Sequence, residues 1–186
     1  MNKNEKFISM LPLKTNRLIL RPISIEDVDM MLKMDKQEIT QKFLGGVKDK
    51  TKEERIAFLD KKASKFKDGL AGSLTVCLKD GTPIGITGLS IDEDNNIGRL
   101  GYIYDYDYTN KGYCTEACKA LIDIGFNKLK LNKISADTIK GNNSSIRVLE
   151  KLNFKLEGVR RQASYDKLSK EYKDFLDYGL LKDEYK

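Results

Sequence analysis

Tyr108-Thr109-Asn110-Lys111-Gly112-Tyr113-Cys114-Thr115-Glu116-Ala117 is the stretch from which the fold can be read. Before it, Tyr102, Tyr104, Tyr106 and Tyr108 fall at every second position, the period of a strand. After it, Ala117, Ala120, Leu121 and Ile124 recur at three- and four-residue spacing, which lays one apolar face along a helix. Ile134, Ala136 and Thr138 then alternate again over residues 132–139. Strand, glycine turn, helix and strand make one βαβ unit, since parallel neighbours need such a crossover. The turn sets the N–H groups of Tyr113, Cys114 and Thr115 at the helix start, where donors lack intrahelical partners and the dipole is positive. That suits a phosphate or pyrophosphate, with Lys111 adding a mobile positive charge. An ordinary strand-to-helix turn shares these features, so the neighbouring segments must decide.

Upstream, Arg17 to Pro22 alternates as a strand that ends at its proline. Ser24 followed by Asp27 offers a serine cap for a helix to about Asp35, and Thr51 followed by Glu54 repeats the pattern for a helix that Gly69 stops. Ile56, Ala57, Leu59, Ala63 and Phe66 would form its apolar face, and residues 36–50 read as a loop. From Leu70 the period is two, with turns at 80–83 and 92–96, so three strands form an antiparallel meander that leads into the βαβ unit. Downstream, Gly141 to Ser145 supplies capping residues for a short helix through Ile146, Val148, Leu149 and Leu152, stopped at Asn153. Residues 154–165 and 173–181 read as a closing antiparallel pair.

The 186 residues fit one domain, 1–186, large enough for a real core. No run approaches the roughly 18 apolar residues of a membrane span, and residues 1–10 lack the core of a secretory signal, so a cytoplasmic protein is expected. Three cysteines without CxxC spacing imply neither a disulfide framework nor a metal site. The absence of histidine excludes every histidine-based triad and leaves carboxylates, tyrosines, serines or water to move protons. The net charge of +6 is spread among interleaved acids, as in residues 48–67, where four acids sit among eight bases. That is the pattern of a solvated helix face rather than a nucleic-acid surface, though it is compatible with an anionic cofactor.

Asn142-x-x-Ser145-x-x-Val148-Leu149-Glu150-Lys151-Leu152-Asn153-Phe154-x-x-Glu157-Gly158, one crossover downstream of the glycine turn, resembles the GNAT superfamily of acetyl-CoA-dependent N-acetyltransferases. More narrowly it is similar to the RimJ/RimL-type branch of ribosomal-protein N-terminal acetyltransferases. The likeness extends from Thr15-Asn16-Arg17-Leu18 to the strand around Asp177-Tyr178-Gly179. It implies an α/β fold of the α+β kind: a mixed, mostly antiparallel sheet flanked by helices, its parallel βαβ pair splayed to admit acetyl-CoA. The family's pyrophosphate loop, Gln/Arg-x-x-Gly-x-Gly/Ala, falls on Thr109 to Cys114 with only Gly112 retained; Thr109, Asn110 and Cys114 depart from it. Because backbone N–H groups make most such contacts, changed side chains need not abolish binding.

The implied reaction is attack of a neutral primary amine on the thioester of acetyl-CoA, helped by positioning and by a backbone N–H near Ile103 or Tyr104 that polarises the carbonyl. The resemblance makes Ser145 the acid for the leaving thiolate, with a helix cap as its alternative role, and places Leu149 where other relatives carry a tyrosine. Cofactor contacts are expected from Ile103, Tyr104, Asn110, Lys111, Gly112, Tyr113, Cys114, Thr115 and Asn142. An α-amine with pKa near 8 is about one-tenth neutral at pH 7, a penalty of about 1.4 kcal/mol, against about 4.6 kcal/mol for an alkylamine near 10.4. A strong internal base is therefore less necessary for an N-terminal acceptor, and Asp92, Glu93 and Asp105 are weak candidates. The expected acceptor is a protein or peptide N-terminus. Its walls are sought in residues 36–50 and the segment before Lys170, in a monomer or homodimer without membrane or direct nucleic-acid binding. Alternatives are a polyamine or aminoglycoside acetyltransferase, and a non-catalytic acyl-CoA sensor or ribosome-associated module.

Overall fold

The computed structural model describes residues 1–166 and 169–185. It opens with a helix that the sequence pattern did not flag, α1 (Lys3–Ile8), capped reciprocally by Asn2 and Glu5. Such caps and the fully buried Phe7 compensate for its shortness. After β1 (Leu13–Lys14) and β2 (Leu18–Pro22), a single 3₁₀ turn at Ile25–Asp27 leads into α2 (Val28–Lys36). The expected serine cap is made by its partner instead: Asp27 accepts the Ser24 N–H at 2.9 Å while the Ser24 hydroxyl is buried without a bond. Asp27 also accepts from Arg21 and Thr75, and these stronger donors fix its orientation.

The expected loop 36–50 contains a short helix, α3 (Glu38–Gln41). Helix α4 (Lys52–Lys67) begins at Thr51 as expected, the hydroxyl accepting the Glu54 N–H, and Gly69 follows its end at φ +71°. Its inward face differs from the expectation. Arg55 and Leu59 are buried while Ala57 is exposed, because Arg55 reaches Asp35 of α2 through two hydrogen bonds.

β3 (Ser73–Leu78), β4 (Pro83–Asp92) and β5 (Ile97–Tyr104) form the expected antiparallel meander. The crossover helix α5 (Tyr113–Asp123) adds one π-helical turn at Ile124–Lys128 before β6 (Lys133–Ile139). Helix α6 (Asn143–Lys151) stops where Asn153 takes the left-handed conformation at φ +64°. β7 (Lys155–Asp166) and β8 (Glu171–Leu181) close the chain.

All eight strands lie in one sheet, in the order β1-β2-β3-β4-β5-β6-β8-β7, with β5 and β6 its one parallel pair. Alternation along β4 and β5 gives the two faces separate cores. Leu89, Leu100 and Tyr104 pack with Ala117, Cys118 and Leu121 of α5, whereas Ile86 and Ile103 pack with the cluster that α2 and α4 build from Met31, Met34 and Leu59. Among the described residues no helix is long and apolar enough to cross a membrane.

Candidate active site

β5 and β6 pair only at Ile97↔Lys133, Gly98↔Ile134 and Arg99↔Ser135. Beyond those positions β5 stays with β4 as far as Tyr104, and β6 stays with β8 as far as Ile139, so a wedge opens between them. Register decides which amides face it. Asp105 N–H donates to the Ile84 carbonyl at 3.0 Å, which makes Ile86↔Ile103 the pair that exchanges hydrogen bonds. The Ile103 amide is therefore spent on β4, and the expectation of a donor there is corrected: Tyr104 and Tyr102 carry the amides on the wedge side. The tyrosine stripe is also shorter than its spacing implies. Asp105 accepts the Asp107 N–H at 3.1 Å and turns Tyr106–Tyr108 into a 3₁₀ turn off the strand.

At the mouth of the wedge the turn has the geometry that its glycine called for. Gly112 starts α5 at φ +80° with no side chain to cap it, leaving the Tyr113, Cys114 and Thr115 N–H groups directed out of the first turn. Asn110 sits at φ +59°, so the position of the usual glycine is occupied by the residue that, after glycine, best tolerates the left-handed region. Lys111 donates from Nζ to the Asp107 carbonyl at 2.8 Å, close to this turn.

A bracing set that sequence reasoning missed holds the turn from behind. Glu116 accepts from Thr15 Oγ1 at 2.6 Å, Arg17 N at 2.8 Å and Arg17 Nε at 2.6 Å. Arg17 in turn donates to the Lys111 carbonyl at 3.0 Å and lies over the Tyr113 ring at 4.6 Å. Burial pushes the Glu116 carboxyl up, but bonds from Thr15 and Arg17 outweigh it and hold the group below its ordinary range. Glu116, an acid in the first turn of α5 where it complements the helix dipole, thus also braces the loop. The clue was Arg17 itself, the charged residue that opens the β2 motif.

Ser145 lies on α6 across the wedge from β5, its Oγ 2.9 Å from the Tyr102 hydroxyl, which also lies 3.3 Å from the Ser145 carbonyl. Burial drives the Tyr102 phenol well above its ordinary pKa, against a smaller opposing effect of the Ser145 bond, so it stays protonated at neutral pH. Asn142 caps α6, Oδ1 accepting the Ser145 N–H at 3.3 Å, which leaves its Nδ2 a donor outside the cap. The hydrogen bond to Cys118, together with burial, raises the Cys114 thiol, so the helix start does not activate it. Leu149 is fully buried in the core.

The three carboxylates considered as bases are committed elsewhere. Asp92 holds the Asn95 turn, and Glu93 accepts from both the backbone and the side chain of Asn4. Burial raises Asp105, yet hydrogen bonds from Gln37 and Lys33 bring it below its ordinary range.

On the face away from α5, beside the wedge, runs a groove of about 420 Å³. Its floor is the cross-strand row Ser73↔Gly88↔Gly101. A Cβ at Gly101 would meet nothing within 4 Å, so this glycine keeps the floor open. Leu44, from the segment expected to wall the acceptor, lines one side, and Asp137, bonded to Arg99 at 2.9 Å and Arg160 at 3.1 Å, lines the other. Of the segment before Lys170, residues 167 and 168 lie outside the described residues.

The sequence profile of the acetyltransferase (GNAT) domain matches residues 17–155, well over half of the chain. The chain belongs to the GNAT acetyltransferases. This acetyltransferase is 30% identical over 178 residues to the uncharacterized N-acetyltransferase p20 of Bacillus licheniformis, a match covering 95% of this chain and 99% of that one. Crystal structures of named acetyltransferases share its fold. The ribosomal-protein-S5-alanine acetyltransferase from Vibrio fischeri superposes with a TM-score of 0.75 at 23% identity, over 94% of this chain and 98% of that one. The spermidine N-acetyltransferase from Vibrio cholerae, in complex with CoA and spermine, gives 0.78 at 17% identity, over 92% and 99%. As a GNAT enzyme the chain uses acetyl-CoA, and its donor set fits that group: outward N–H groups at the start of α5 for a pyrophosphate, and wedge-facing amides on β5 for an extended, amide-bearing arm.

Proposed function

We propose that this acetyltransferase acts on the amine at a protein or peptide N-terminus, in the manner of the RimJ/RimL-type branch. The observation that carries this reading is the glycine-floored groove beside the wedge. Side chains on the floor would hold a polypeptide off the sheet, whereas Gly101, with open space where a Cβ would stand, lets an extended backbone lie against it; the space over Gly88 is taken by the Gly72 carbonyl.

Acetyl-CoA, when bound, supplies the activated acetyl group. The chain's residues supply position and charge. Tyr113, Cys114 and Thr115 offer backbone donors to the pyrophosphate beside Lys111, with Asn110 and Gly112 shaping the turn that presents them. Arg17 and Glu116 keep that turn from shifting. The Tyr104 amide, on the wedge side of β5, would meet the negative charge that gathers on the thioester carbonyl, and Asn142 Nδ2 would donate to an amide of the cofactor arm. Tyr102, held protonated, shares a hydrogen bond with Ser145 Oγ; with the phenol as donor in that pair, the Ser145 proton would be free for the leaving sulfur. An α-amine needs little help to lose its proton, which agrees with the commitment of Asp92, Glu93 and Asp105 to structural bonds. The altered Thr109-Asn110 pair is what would favour the sensor alternative; Asn110 at φ +59° takes a backbone conformation that a glycine would adopt there, which supports a loop that still holds the cofactor.

The experiment is thiol release from acetyl-CoA with an unblocked peptide, the same peptide N-terminally acetylated but containing lysine, and spermidine. Release with the first alone supports the reading; release with spermidine and not with peptides refutes it. Gly101→Leu should raise the peptide KM at least tenfold while leaving acetyl-CoA binding intact, and an unchanged KM would remove the groove from the acceptor site.

A further inference from the structure

The acceptor face holds a second chamber, a cavity of about 430 Å³ beneath α2 and α4 that joins the groove at Ser73, Ile86 and Ile103. Its walls are apolar apart from Gln41, Ser73 and one lopsided set of charges: Lys48, Lys50, Arg55 and Lys62 against the single carboxylate of Asp35. Asp35 is already held by two hydrogen bonds from Arg55, and Lys50 pairs with Glu54 outside the cavity at 2.7 Å. Neither Lys48 nor Lys62 has a carboxylate within ion-pair distance among the described residues. Burial lowers the Lys48 pKa, with Arg55 adding to the effect and Asp35 opposing it, so the charged ammonium sits where an incoming anion would relieve it. A second polar group points the same way. Gln41 is only 1% exposed; its Nε2 donates to the Met34 carbonyl at 2.9 Å, while its Oε1 is buried with no donor. A buried acceptor left unpaired is unfavourable until a ligand supplies an N–H.

We propose that this chamber receives a carboxylate of the acceptor, so that the enzyme's substrates are primary amines that carry one. Lys48 is the partner of the carboxylate, Lys62 reinforces the field at the rim, and Gln41 Oε1 takes an N–H of the same molecule. This rests on the reading of the groove as the acceptor site and narrows it. Polycations such as spermidine are rejected by the same lysines, since their ammonium groups would enter a like-charged chamber. The carboxylate has two possible sources, the side chain of an acidic residue near a peptide N-terminus and the α-carboxylate of a free amino acid.

The test is calorimetric binding to the protein saturated with CoA, using N-acetylated products so that no turnover intervenes. The ligands are acetylated peptides identical except for glutamate, glutamine or lysine in the first two positions, and free N-acetylglutamine. The glutamate peptide should bind about tenfold tighter than its glutamine twin, as expected for one charge-assisted hydrogen bond. Lys48→Gln should abolish that preference, Lys48→Glu should turn it toward the lysine peptide, and Lys62→Gln should weaken it. Equal binding of the twins, or tighter binding of the lysine peptide by the unaltered protein, overturns the proposal. Binding of N-acetylglutamine, whose only carboxylate is the α-carboxylate, as tight as that of the glutamate peptide assigns the carboxylate to a free amino acid; binding of the peptide alone assigns it to a side chain. Thiol release with the unblocked peptides separates the two readings. Release indifferent to acceptor charge keeps N-acetyl transfer and removes the chamber's role, whereas charge-dependent binding without release keeps the chamber and removes the transfer.

Discussion

Ser145→Ala tests the proton path where the structure makes it quantitative. A thiol of ordinary pKa, about 8.5, leaves unprotonated at pH 7 at a cost of about 2 kcal/mol. A hydroxyl within reach of the sulfur recovers about that amount, so the variant should lose about thirtyfold in kcat. The same substitution removes the Oγ that lies 2.9 Å from the buried Tyr102 hydroxyl, leaving the phenol the Ser145 carbonyl at 3.3 Å. Stability should therefore fall by about 1 kcal/mol, not the roughly 3 kcal/mol of a phenol with no partner. Tyr102→Phe removes the other end of the path and should lose severalfold in kcat. The double variant should be no slower than Ser145→Ala, because groups acting as one unit do not give additive losses. Single-turnover thiol release reads the chemistry, and urea denaturation reads the stability. Unchanged kcat with reduced stability would make Ser145 a helix-start residue only, and additive losses in the double variant would break the link to Tyr102.

Asn110→Ala should weaken acetyl-CoA binding and lower stability by about 1 kcal/mol because its φ of +59° disfavours a β-carbon, while Asn110→Gly should preserve both; calorimetry and thermal melting check the pair. Glu116 has a depressed folded-state pKa, so its contribution to stability is complete above the ordinary carboxyl range and disappears as pH falls through the depressed value. Urea midpoints from pH 6 to pH 3 should accordingly fall less steeply in Glu116→Gln than in the unaltered protein. Arg55→Ala should cost about 3–5 kcal/mol in urea denaturation by leaving the buried Asp35 carboxylate unpaired, and joint replacement of Asp35 and Arg55 by leucine and methionine should recover most of it.

The fold was legible where local signals agree. The meander, the crossover helix and the stop at Asn153 rest on period and turn chemistry, which are written residue by residue. What escaped depends on side chains far apart in the chain. Arg55 reads as one more charge on a solvated helix until Asp35 of α2 is brought beside it, and α4 then buries a guanidinium where apolar residues were expected. The Ser24 cap failed for the same reason, Asp27 being claimed by Arg21 and Thr75. At the site, Gly112 and Ser145 carried a motif, but strand register chose between the Ile103 and Tyr104 amides. The link from Arg17 to Glu116 joins residues 99 positions apart, more than half the length of the chain, so no local period announces it.

The ladder between β5 and β6 has three residue pairs, whereas β4 pairs with β5 at eight positions and β6 with β8 at seven. In mechanical terms the sheet is two stiff plates sharing a short hinge, and the wedge is the seam along which they would part. A ligand whose arm bonds to both lips of that seam acts as a splint. Acetyl-CoA should then slow amide hydrogen exchange at Tyr102 and Tyr104 on one plate and along Ala136 to Ile139 on the other, tying the rigidity of the whole sheet to the presence of the acetyl donor.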